Sequence, residues 1–130
     1  MIFALQTSDA TCNFALLDAK GVVYARHAWE AGRSLAQDLL RHIDDFLEEH
    51  NHKVSAIEGI VVFKGPGSFT SLRIGCTVMN TYADVLQVPI VGMTGDEWLS
   101  NGYERIQKGD NDQIIVPEYG SLPTITLPRK

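Results

Sequence analysis

Positive charge is scarce in this sequence. Eleven Lys and Arg stand against sixteen Asp and Glu, a net charge of −5. That excludes the broad positive field by which a protein grips nucleic acid unaided, and no Lys/Arg run supplies a local substitute. Cysteine is scarcer still. Cys12 and Cys76 lie far apart in apolar surroundings, which excludes a disulfide framework and any zinc spacing. Both read as core thiols, and a reducing, cytoplasmic setting is the expectation. The opening Met1-Ile2-Phe3-Ala4-Leu5 carries no basic leader, so no signal peptide is expected. The longest apolar stretch, after Gly75, is broken by Asn80, Asp84 and Gln87, too early to span a bilayer. Neither a Ser-His-Asp nor a metal constellation is visible, and His42, His50 and His52 read as solvated helix-face or loop residues.

What is present is an ordinary single-domain composition, 45% apolar and 21% charged over 130 residues. Ile2–Leu5, Cys12–Leu17 and Val22–Trp29 read as three antiparallel strands, the last two joined by a turn at Asp18-Ala19-Lys20-Gly21. Ser34 and Gln37 form a capping-box pattern, and Leu35, Leu39, Leu40, Ile43, Phe46 and Leu47 make the apolar stripe of a helix. Ile60–Phe63 and Pro89–Met93 read as a fourth and a fifth strand, parallel to each other. Asp96–Leu99 predicts a short helix, Gly102–Gln113 a loop and Ile114–Val116 a late strand. Ile125 and Leu127 are expected to pack along an edge. The organisation expected is a lobe over residues 1–100 and an irregular tail over 101–130 with a possible edge strand.

Between the fourth and fifth strands runs Lys64-Gly65-Pro66-Gly67-Ser68-Phe69-Thr70-Ser71-Leu72-Arg73-Ile74-Gly75. An apolar strand passing through Gly-Pro-Gly into a helix is a tight corner, with Ser68 placed as N-cap. Such a corner can cradle an anion at the helix N-terminus, and Thr7, Ser8, Gly67 and Ser68 are the candidate phosphate contacts. It is not a Walker A loop, since Lys64 precedes the turn. The plain alternative is a packed strand-to-helix corner. The helix that follows, Phe69 to about Gln87, has two apolar stripes: Leu72, Cys76, Met79, Ala83 and Leu86 form one, and Ile74, Val78, Tyr82 and Val85 the other. A sheet covers one side only, so the other awaits a partner. The candidate partner interface comprises Leu72, Arg73, Cys76, Met79, Tyr82, Ala83 and Leu86, with the alternate stripe left open and Gln37 and Arg41 as a polar rim.

These residues in this order resemble the TsaB (YeaZ) family. Lys64–Gly75 is close to the family's Gly-Pro-Gly-Ser-Phe-Thr-Gly-Leu-Arg-Ile-Gly, and Ala4-Leu5-Gln6-Thr7-Ser8 to its opening Ala-Leu-Asp-Thr-Ser. The resemblance runs from Met1 to about Leu99. It implies an α/β fold of ribonuclease H-like (ASKHA, actin-like ATPase) type: one lobe, a five-stranded mixed sheet of three antiparallel then two parallel strands, and two main helices. It implies a non-catalytic subunit that binds and supports TsaD, through paired helices, in making N6-threonylcarbamoyladenosine in tRNA. Recruitment of TsaE, a homodimer when alone and only indirect contact with tRNA belong to the same implication. ATP or ADP and a metal ion are expected in TsaD and TsaE rather than here. Gln6 stands where active members of the wider class carry Asp, and a neutral amide is a poor ligand for a hard cation. Ser71 replaces a family Gly, and Thr77, Met79, Thr81 and Tyr82 are bulkier or more polar than usual. Only residues 100–130 follow Leu99, where the family carries a second lobe, so a short form keeping the docking lobe is expected. The competing expectation is a small nucleotide-binding or ATP-hydrolysing enzyme of the same fold.

Overall fold

Runs of buried aliphatic residues pair into one mixed sheet in the computed structural model, which describes residues 1–119. Its strands are β1 (Ile2–Gln6), β2 (Thr11–Leu17), β3 (Val23–Glu30), β4 (Gly59–Phe63) and β5 (Ile90–Met93), in the order β3-β2-β1-β4-β5. β1 pairs antiparallel with β2, and β2 with β3, whereas β1–β4 and β4–β5 are parallel. The β2–β3 turn is the expected one, with Gly21 at φ 82°. Because strand side chains alternate, Phe3, Leu5, Phe14, Leu16, Ile60, Val62 and Ile90 form one buried cluster and Ile2, Ala4, Ala15, Leu17, Val61 and Val91 another.

Two helices fill the first face. α1 (Leu35–Glu49) buries Leu35, Leu39, Ile43, Phe46 and Leu47. Leu40, placed in that stripe by the sequence reading, is exposed. The capping box does not form: the Ser34 hydroxyl donates to the carbonyl of Ala31 at 2.8 Å instead. α2 (Phe69–Leu86) lies beside α1 and ends at Gln87, which adopts the left-handed conformation at φ 57° and returns its N–H to Ala83 O.

The opposite face is covered by α3 (Trp98–Gln107), through Trp98, Leu99, Tyr103 and Ile106. This corrects two expectations: there are three main helices among the described residues, and helix continues past residue 100 where a loop was predicted. Gly102–Gln113 is polar and poor in aliphatic residues, which predicts a loop, but Gly102 at its start is buried against the sheet. A Cβ there would collide with Val61 Cγ1, so glycine serves close helix–sheet approach rather than a turn.

No strand forms at Ile114–Val116. Residues 110–119 run instead as an irregular strap along the outer edge of β5. Asn111 Oδ1 accepts from Ile90 N–H at 3.1 Å, Asp112 Oδ2 from Gly92 N–H at 2.9 Å, and Asp112 N–H donates to Ile90 O at 2.8 Å. Side-chain oxygens thus take the place of a neighbouring strand, which satisfies the edge and blocks further pairing. Arg105 fastens the strap with a two-pronged bond to Asp112 (2.6 and 3.0 Å) and one to Asp110 at 3.0 Å. That guanidinium holds the Asp112 carboxyl below its usual range. The expected edge packing of Ile125 and Leu127 lies outside the described residues.

Candidate functional site

The corner between β4 and α2 is packed from the inside. Gly65 has φ 134°, and a Cβ there would collide with Glu118 O of the strap. A Cβ on Gly67 would meet Ser8 O, and Ser68 N–H donates to that same carbonyl at 2.7 Å. Thr7 is buried, and its hydroxyl donates to Ser71 O at 2.9 Å. The structure therefore brings Thr7, Ser8, Gly67 and Ser68 together, as the sequence reading expected, but several of their polar groups are spent on one another. Ser68 makes no side-chain cap bond, contrary to expectation.

Gly75, one turn further, faces Thr7 so closely that a Cβ would collide with Thr7 Oγ1. Gly75→Ala is expected to destabilise the fold by about 1–3 kcal/mol through overpacking. Thr7→Ala in the same chain is expected to return part of that loss, since it removes the obstructing atoms. Denaturant unfolding of the two single variants and the double variant measures the coupling; strict additivity would contradict the contact.

α2 shows which of its two stripes meets the sheet. Leu72, Cys76, Met79 and Ala83 are buried against it, so these four candidate interface residues are core, a correction imposed by their i, i+4, i+7, i+11 spacing onto one helix face. Burial pushes the Cys76 thiol up to about 11 and that of Cys12 up to about 12, leaving both protonated and inert. The alternate stripe turns outward. Ile74, Val78 and Tyr82 are half-buried at its border, Val85 is exposed, and Thr70, Arg73, Thr77 and Thr81 complete an exposed face. Of the remaining candidates, Tyr82 and Leu86 are half-buried, and Arg73, Gln37 and Arg41 are exposed. The Arg73 guanidinium lies 5.3 Å from the Phe69 ring centroid, and Arg41 pairs with Asp38 of its own helix at 3.1 Å.

Between α1 and α2 this face sinks into an open groove of about 290 Å³ lined by Ala36, Thr70, Arg73, Ile74, Thr77 and Val78. Small side chains at Ala36, Thr70 and Thr77 make the groove, and reading by apolar stripe passed over all three. Their signal is spacing: Thr70, Thr77 and Thr81 recur at seven and four residues, the helical interval. The floor is shallow and mixes apolar with small polar side chains, and Arg73 supplies the cation in its lining.

A second feature missed from sequence lies beyond α1. Trp29 and His42 stack at 3.8 Å with rings 8° apart, and His27 Nε2 lies 3.2 Å from His42 Nδ1. His42 is thus half-buried rather than fully solvated. Burial, then Arg41 and His27, push its pKa below the ordinary value against the opposing pull of Asp38 and Asp45. With the folded pKa depressed, the contribution to stability is complete above the unfolded value of about 6.5 and is lost as pH falls through the folded one. Unfolding free energy measured from about pH 7.5 downward is expected to show that loss. His42→Asn removes it; an unchanged pH profile in that variant would contradict the assignment.

Among the described residues no group of three or more His, Cys, Asp or Glu is placed to hold a metal ion, and no helix is long and apolar enough to cross a membrane. The family model described as TsaD, tRNA N6-adenosine threonylcarbamoyltransferase, matches residues 27–105, from β3 through α3. The tRNA threonylcarbamoyladenosine biosynthesis protein TsaB of Escherichia coli K12 is 30% identical over 111 residues, covering 81% of this chain and 47% of that protein. Its Bacillus subtilis 168 counterpart is 31% identical over 99 residues, covering 76% and 43%. The chain thus spans a little under half the length of these curated relatives. The solved structure of YeaZ from Pseudomonas aeruginosa superposes with a TM-score of 0.65 at 35% identity, covering 72% of this chain and 43% of that one. With the strand order found here, that gives the α/β fold of ribonuclease H-like, actin-like type. The chain belongs to the family that this threonylcarbamoyltransferase model describes, and within it to the TsaB (YeaZ) group.

Proposed function

We propose that this chain acts in forming N6-threonylcarbamoyladenosine in tRNA, as a non-catalytic subunit that docks on a TsaD homologue through α2. The observation that carries the reading is the outward face of that helix, grooved between Ala36 and Val78 and covered by nothing in its own described chain. A partner of the same family carries a helix of the same kind, and two such helices pack by fitting the side chains of one into the grooves of the other. The chemistry of the β4–α2 corner supports a docking role over catalysis. The Thr7 hydroxyl and the Ser68 backbone N–H are engaged within the corner, and Gln6 offers a neutral amide that donates to Ser8 Oγ at 3.3 Å. Nucleotide and metal then belong to the partner proteins, TsaD and TsaE, with tRNA contacted through them in the cytoplasm. Two copies pair through the same face when the partner is absent.

The test is chemical. Depleting this chain in its own cells is expected to lower the threonylcarbamoyladenosine content of tRNA, measured by nucleoside mass spectrometry, and re-expression restores it. Unchanged modification after depletion overturns the proposal. One observation favours a second reading, a small nucleotide-binding protein. A cavity of about 360 Å³ opens at the carboxyl ends of the parallel strands, lined by Gln6, Phe63, Pro66, Gly95, Asp96 and Trp98, where open α/β sheets take their ligands. Calorimetric titration with ATP and Mg²⁺ decides it: saturable binding by the isolated chain favours this reading, and none removes it.

A further inference from the structure

The outward face of α2 has two flanks, and only one of them is a helix. On one side Val78 shares the groove with Ala36 of α1, and Tyr82 lies beside Asp44 of the same helix. At 3.6 residues per turn, Asn80 and Phe69 fall on the other side of α2, about 160° from Val78 and about 140° from Tyr82 respectively as the helix turns. There they meet the strap. The Asn80 amide accepts from Ile115 N–H at 2.8 Å and donates to Ile115 O at 3.0 Å. Tyr119 stacks on Phe69 with centroids 4.6 Å apart, and Ile114 borders Ala83 and Asp84. The strap therefore runs antiparallel to α2, from its C-terminal to its N-terminal end.

Ile115 is buried and fixed by Asn80, whereas its neighbours Ile114 and Val116 are 68% and 71% exposed. Of seven exposed large apolar side chains among the described residues, four are Phe69, Val85, Ile114 and Val116. They are concentrated on α2 and the strap, which is unlike the single scattered residues of an ordinary surface.

We infer that the strap forms the second wall of the α2 docking face, with Ile114 and Val116 touching the TsaD-family partner and Asn80 acting as the positioning residue that holds them out. This rests on the docking role proposed above. The partner is the occupant because the TsaD family model matches this chain across α1 and α2, so a TsaD homologue carries a helix of α2 type to seat on this face. Helices in contact lie about 8–10 Å apart, so side chains of a helix seated on α2 overhang both flanks and reach the strap. The strap is already fixed at Ile90, Gly92, Asn80 and Lys64, so docking orders no loose segment.

The test is the affinity of the full chain for the same organism's TsaD homologue, by calorimetry. Ile114→Asp with Val116→Asp is expected to weaken binding at least tenfold while leaving the melting temperature in place, since both side chains are exposed. Asn80→Ala is expected to weaken it as well and to speed hydrogen exchange at the Ile115 amide, which the double variant does not. If the strap variant binds like the original while Val78→Asp, at the centre of α2, loses binding, the docking role stands and the strap inference falls. If the unsubstituted chain does not bind, both fall.

Discussion

Met79→Asp is expected to leave the chain unfolded. Met79 is fully buried between α2 and the sheet, in the cluster that holds Cys76, Ala83, Ile60 and Ile90. Removing its packing alone costs about 2–5 kcal/mol. An aspartate there must also be buried, either charged without a partner or protonated without enough hydrogen bonds, a further cost of several kcal/mol. Domains of this size hold about 5–15 kcal/mol in all, so the two losses together reach the whole of it. Circular dichroism and thermal melting read the result; a cooperative melt close to that of the original chain would contradict the placement of α2.

Val78→Asp, one residue along, is expected to do the opposite. The step turns about 100° around the helix, from the sheet to the groove, where Val78 is half-buried beside Ala36. Water still reaches an aspartate at that position, so the isolated chain keeps its fold with a modest loss of stability. In the docked state the same carboxylate is enclosed between two helices without a partner. A cost of about 3 kcal/mol in that setting weakens binding by roughly a hundredfold. Calorimetry against the TsaD homologue, with circular dichroism as the control for folding, measures both halves of the statement. Affinity equal to that of the original chain would contradict it.

The contrast between these two neighbours marks where the sequence was legible and where it was not. Two apolar stripes on one helix are visible in the order of residues, but which of them meets the sheet depends on where β4 and β5 place that helix, a long-range fact. Four of the five strands were readable as short apolar runs bounded by turn residues, Gly21 and Gly65 among them, and β3 by its alternation of half-buried and exposed residues. α3 was cut short because Gly102–Gln113 is polar and poor in aliphatic residues, and nothing local reveals that Gly102 lies against Val61. The late strand failed for a related reason. Ile114-Ile115-Val116 has strand composition, but the edge of β5 is capped by Asn111 and Asp112 through side chains, and no periodicity reveals that.

The candidate site was legible in part. Lys64–Gly75 located the corner and the start of α2, and Arg73, Tyr82, Leu86, Gln37 and Arg41 reach the surface, wholly or in part. Ala36, Thr70 and Thr77 were invisible to a search for apolar stripes, because a groove is made by side chains that are small. The phosphate reading was blind to the Ser8 carbonyl, whose approach to Gly67 and Ser68 comes from the turn between β1 and β2. His42 looked solvated because Trp29, its stacking partner, lies on a different element.

Everything proposed for function rests on α2 docking this chain on a TsaD homologue. Its most direct test is co-expression of the two proteins from the same organism, followed by size-exclusion chromatography with light scattering. Docking through α2 predicts a single peak whose mass is that of one copy of each chain. Separate elution of the two proteins at concentrations well above micromolar would contradict it.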